Sequence, residues 1–61
     1  MSPYKLKNIV VHTYDGDSLK VEIDGLYNHP RKKMEDILIS EFRKIIKNDI
    51  PVSVDFRMEY V

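Results

Sequence analysis

From Val52 to Tyr60 the chain alternates without a break: Val52, Val54, Phe56, Met58 and Tyr60 fall on one side of an extended backbone, and Ser53, Asp55, Arg57 and Glu59 on the other. Successive side chains of a strand point to opposite faces, so this stretch reads as a strand lying half-buried on a sheet. It follows a helical pattern and runs to the end of the sequence, which predicts a fold closed by its own last strand. The rest of the chain must supply neighbours for that strand and a cover for its apolar face.

The neighbours lie upstream. Residues 4–14 and 18–24 are rich in β-branched and aromatic side chains and are separated by Asp15-Gly16-Asp17, the pattern of a hairpin. A two-residue loop at Asp15-Gly16 would put Leu19 and Val21 on the face of Val10 and His12. A three-residue loop, a type I turn at Tyr14-Asp15 followed by Gly16 in a bulge, instead pairs Val11 with Leu19 and Ile9 with Val21. The second register is preferred, because it builds one continuous apolar face and gives glycine the position where φ must be positive. It leaves Tyr4, Leu6, Val10 and His12 on the opposite face, so the first strand reads as central and apolar on both sides. The second strand, with Leu19, Val21 and Ile23 inward and Lys20, Glu22 and Asp24 outward, reads as an edge.

Met34, Ile37, Leu38, Phe42, Ile45 and Ile46 recur at three- and four-residue spacing, with Ile39 at the border and Asp36, Ser40, Arg43, Lys44 and Lys47 opposite. This is an amphipathic helix over about 31–48, opened by Pro30 in its first turn and stopped at Asn48-Asp49 ahead of Pro51. The order β-β-α-β, with the strand over about 52–60 returning beside the first, predicts one α+β domain spanning residues 1–61. Its sheet has three antiparallel strands in the order 2-1-3, with the helix packed on one face. In a chain of 61 residues nearly every large apolar side chain is needed for that core.

Ten basic and ten acidic residues cancel, but not locally. Arg31, Lys32, Lys33, Arg43, Lys44 and Lys47 outnumber Glu35, Asp36 and Glu41 in the helical segment, so the expectation is a basic helix layer over an acidic sheet layer. Those six residues form the candidate anion or nucleic-acid contact, with Lys33 and Lys44, and Lys32 and Arg43, nearly superposed in angle. The plainer account is a solvated face laced by Asp36–Lys32, Asp36–Lys33 and Glu41–Lys44 pairs. The absence of cysteine removes disulfides, thiolate metal sites and thiol nucleophiles. The first residues lack a signal-peptide pattern and no run is apolar enough to span a membrane, so a cytoplasmic location without membrane contact is expected. The Lys, Ile, Asn and Asp content suits a small accessory protein of a bacterium or its phage.

Chemistry is sparse. His12 and His29 are placed apart, on the outer sheet face and in the loop before the helix. Asp15-Gly16-Asp17-Ser18 lacks the later ligands of a calcium loop. The carboxylates of Glu22, Asp24, Asp55 and Glu59 sit on an open face, and neither a glycine-rich phosphate loop nor a metal-ligand spacing is present. A non-enzymatic module is therefore expected, with no cofactor, metal or small-molecule substrate. It would self-associate as a homodimer, or dock on a larger protein, through the uncovered face bearing Tyr4, Leu6, Val10 and His12 or through an edge strand. Nucleic-acid binding by the helix stripe is the alternative, and a small enzyme active only as an oligomer a distant third.

Overall fold

The computed structural model describes residues 2–61. Four elements follow in the expected order: β1 (Tyr4–Thr13), β2 (Ser18–Val21), α1 (Arg31–Ile45) and β3 (Pro51–Tyr60). The sheet is antiparallel with β1 in the middle, in the order β2-β1-β3, and the helix packs on one side of it.

The hairpin takes the bulged register. Ile9 faces Val21 and Val11 faces Leu19. The Gly16 N–H donates to Thr13 O and the Thr13 N–H to Asp17 O, each at 3.0 Å. Gly16 sits at φ +90°, where a Cβ would be strained even though no atom lies within 4 Å of its position.

β1 departs from simple alternation at one residue. Lys7 pairs with Arg57 but Val10 with Asp55, so Asn8 and Ile9 together stand opposite Phe56. Asn8 has φ 54°, a left-handed conformation that asparagine tolerates better than most residues. The extra residue inverts the faces: Tyr4 and Leu6 ahead of it point to the same side as Ile9, Val11 and Thr13 after it. The placement of Tyr4 and Leu6 on the uncovered face is thereby corrected, since they are 0% and 4% exposed and lie in the core. β1 is central because it is paired on both sides, not because it is apolar on both faces.

The same bulge shortens β2. Its pairing with β1 stops at Ile9–Val21, so it ends at Val21 rather than near residue 24. The chain rejoins the sheet at Tyr27, which exchanges backbone hydrogen bonds with Tyr4 at 2.8 and 2.9 Å. A second irregularity lies in β3, where His12 pairs with Ser53 but Thr13 with Pro51. Val52 is the extra residue and is exposed, contrary to its expected inward position. Tyr60 meets Tyr4 edge to face at 5.6 Å but is also exposed.

Pro30 is the N-cap of α1 rather than part of its first turn, and its carbonyl accepts the Met34 N–H at 2.9 Å. The helix buries Met34, Leu38 and Phe42, with Ile37, Ile39 and Ile46 packed partly against the core. It ends at Ile45 instead of near residue 48, where Ile46 turns extended, and Ile45 is 71% exposed. Its backbone approaches β3 and neither of the other strands. The cover is therefore lopsided: on the inner face of β2, Val21 packs partly against the core while Leu19 stays exposed.

Candidate functional site

The uncovered face keeps only Val10 and His12 of the four residues expected there, both half-buried. Around them stand Lys5, Lys7, Lys20, Asp55, Arg57 and Glu59, all exposed. The face is polar rather than an apolar strip.

His12 is the organising residue of that face. Its ring lies between strands, with Nδ1 3.1 Å from Ser18 Oγ and Nε2 2.9 Å from Asp55 Oδ2. A carboxylate only accepts, so Nε2–H donates to Asp55, and with Nδ1 bare the Ser18 hydroxyl donates to it. Serine, histidine and aspartate also make up the relay that activates a serine nucleophile in hydrolases, but there Nε2 faces the serine and Nδ1–H the carboxylate, whereas the two ring nitrogens are exchanged in this row. Here the row crosses β2, β1 and β3 on an open surface, with the His12 and Asp55 side chains 39% and 74% exposed. Its evident effect is to tie the three strands together. The Ser18 contact was implicit in the hairpin register, because His12 faces Ser18 once Val11 faces Leu19. The Asp55 contact needed the long-range pairing of β1 with β3.

The basic residues of the helix divide. Arg31 lies over the Phe56 ring at 4.3 Å, donates from Nη1 to the Phe56 carbonyl at 2.9 Å and pairs with Glu35 at 3.6 Å. Arg43 Nε donates to the Pro51 carbonyl at 3.3 Å, and Lys44 pairs with Glu41 at 3.5 Å. Lys32, Lys33 and Lys47 are exposed. Of the anticipated lysine pairs only Glu41–Lys44 forms among the described residues.

These contacts make the two sheet edges unlike. Along β3 the helix runs overhead, and guanidinium groups from α1 hold the carbonyls of Phe56 and Pro51. Along β2 no such guard occurs among the described residues. Leu19 is 41% exposed, Val21 and Ile23 are half-buried, and a shallow cleft opens between Lys7-Asn8 and Val21-Glu22 where the bulge draws β1 away. An edge with free backbone groups and uncovered apolar side chains on its inner face is a template for another strand.

Two titrating groups mark the ends of β1. Burial pushes the Tyr4 phenol above its ordinary value, with Tyr60 adding to the rise and Arg31 opposing it, and its hydroxyl donates to the His29 carbonyl at 2.6 Å. At the other end the Thr13 hydroxyl, followed by the Ile50 and Asp15 amides, holds the Asp49 carboxyl below the usual range. No group of three or more histidine or acidic residues that could hold a metal ion occurs among the described residues. Compared with protein-family models, curated proteins and solved structures, the chain finds no match.

Proposed function

We propose that this chain is a protein-interaction module that accepts an added strand along the free edge of β2. The observation that carries the reading is the lopsided seat of the helix, which guards β3 and leaves Leu19 in water on an unpaired edge. Strand addition would satisfy the outward backbone groups of β2 and remove the Leu19, Val21 and Ile23 side chains from solvent. The uncovered sheet face contributes recognition through its charges, with Val10 and His12 at its centre.

The test uses the immobilised chain and extract of the cells that produce it. The wild type is expected to retain a protein, either another copy or a different chain, and Leu19→Asp to lose it, because a carboxylate would be carried into the desolvated contact. Leu19 is already partly exposed, so the variant should fold. Equal retention by both would end the reading.

A second reading has one observation in its favour, the Ser18–His12–Asp55 row. In it the Ser18 oxygen attacks an ester carbonyl, His12 passes the proton to the departing alcohol, and water then releases the acyl group. Turnover of p-nitrophenyl acetate above background, lost in Ser18→Ala, would support it, whereas equal rates would remove it.

A further inference from the structure

We infer that the strand added along the β2 edge belongs to β2 of a second copy of this chain, paired antiparallel about a two-fold axis at Val21. The inference rests on the edge reading above and adds the occupant and its register.

Hydrogen-bond parity limits the choices. The Thr13 N–H to Asp17 O bond closes the hairpin, so Val11–Leu19 and Ile9–Val21 are the hydrogen-bonded pairs of the ladder. Leu19 and Val21 turn their backbone groups toward β1. Ser18 and Lys20 turn theirs to the free edge, and residues 22–24, which lie beyond the end of β2 but keep its alternation of exposed and half-buried positions, extend that edge through Glu22 in the inferred pair. In a symmetric antiparallel pair these outward residues must meet their own kind, which places the axis at Leu19, Lys20, Val21 or Glu22.

Charge then selects one register. An axis at Lys20 or Glu22 sets like charges directly opposite, and an axis at Leu19 sets Asp17 against Val21. With the axis at Val21, Lys20 of each copy faces Glu22 of the other, Ser18 faces Asp24, Leu19 faces Ile23, and Val21 faces itself. Every cross-strand pair then joins apolar to apolar, opposite charges, or hydroxyl to carboxylate, the combinations that stabilise a sheet.

The seat of the helix favours this edge over the other. A β3–β3 contact about Phe56 would also be complementary, with Asp55 facing Arg57 and Val54 facing Met58. It would, however, bring two helices, each over its own β3, to about one strand spacing of ~5 Å, below the 8–10 Å at which helices pack. It would also have to displace Arg31 from the Phe56 carbonyl. A β2–β2 contact keeps the helices on one face but at the two far ends of a six-stranded sheet.

The chain has no cysteine, so one introduced thiol reports alone. At the axis the two Val21 residues form a non-hydrogen-bonded pair with Cα atoms about 4.5 Å apart, within reach of a disulfide. Val21→Cys is therefore expected to give a covalent dimer on mild oxidation, whereas Lys20→Cys, which faces Glu22 of the second copy, should not. Lys20→Glu places like charges opposite one another twice and should weaken the dimer by about tenfold, measured by sedimentation, while adding Glu22→Lys should restore it. A wild-type chain that stays monomeric at the highest soluble concentration would overturn the second copy as occupant. A dimer that Val21→Cys fails to lock would overturn the register. A monomer whose capture of another protein still depends on Leu19 would leave the edge reading standing alone, and a dimer indifferent to Leu19→Asp would sink both.

Discussion

The two halves of β1 share one neighbour in β3 and one core beneath the helix, yet they bury opposite parities. In residues 4–7 the even positions Tyr4 and Leu6 are inside, and in residues 9–13 the odd positions Ile9, Val11 and Thr13 are. One left-handed asparagine between them accounts for the inversion, because an extra residue in a period-two pattern has the effect of a one-residue slip. The comparison teaches that the faces of this strand are set locally, at Asn8, and that functional assignments made by parity hold only as far as the nearest bulge.

The comparison breaks most sharply on a pair of identical substitutions two positions to either side of Asn8. Leu6→Lys puts an ammonium into the core beside Met58 and is expected to cost at least the 2–5 kcal/mol of a Leu→Ala change, close to the whole stability of so small a domain. Val10→Lys should cost about 1 kcal/mol or less, since the side chain can extend from the half-buried outer face beside Asp55. Urea unfolding of both variants decides it. Similar losses would mean that the two halves do not differ in parity.

Much of this fold was legible beforehand. The hairpin register followed from one demand, that Gly16 take a positive φ while Val11 and Ile9 meet Leu19 and Val21. The helix stripe followed from Met34, Leu38 and Phe42, and the face of β3 from Val54 and Phe56. The inversion at Asn8 had a signal too: Leu6 and Ile9 are three residues apart, with the adjacent polar pair Lys7-Asn8 between them, where unbroken alternation allows only two. That signal competed with a central strand apolar on both faces, which explains the same residues without a bulge. The lateral seat of the helix left no trace in the sequence, since it depends on how Phe56, Arg31 and Phe42 fit in three dimensions. The unguarded β2 edge, and with it the candidate site, became visible only once that seat was known.

Asn8 itself gives the next test. A β-branched residue is poorly suited to φ 54°, so Asn8→Val should destabilise by about 1–2 kcal/mol, while Asn8→Gly should be neutral or slightly stabilising. Gly16→Ala is the companion measurement and should cost about 1 kcal/mol, from backbone strain alone, because the space around it is open. If Asn8→Val proves harmless, the inversion has another origin.

The two halves of β1 should also answer to opposite ends of the pH scale. Burial raises the Tyr4 phenol in the folded chain, so its contribution is complete below the unfolded value of about 10 and is lost as pH rises through the folded one. Tyr4→Phe, which removes the ionisable group and its bond to the His29 carbonyl, should flatten the alkaline fall in stability while lowering stability at neutral pH. At the hairpin end the sign reverses. Asp49 is held below its ordinary value by the Thr13 hydroxyl and the Ile50 and Asp15 amides, so its contribution is present above the unfolded value of about 4 and is lost as pH falls through the folded one. Asp49→Asn should therefore lie below wild type at pH 6 and approach it at pH 2, as read by denaturant midpoints. This is the smallest effect of the series, because Asp49 is only half-buried. A gap that stays constant across that range would show that the carboxylate is not what these donors hold, and would leave the hairpin end of β1 anchored by its backbone bonds, Tyr14 N–H to Ile50 O at 2.8 Å among them.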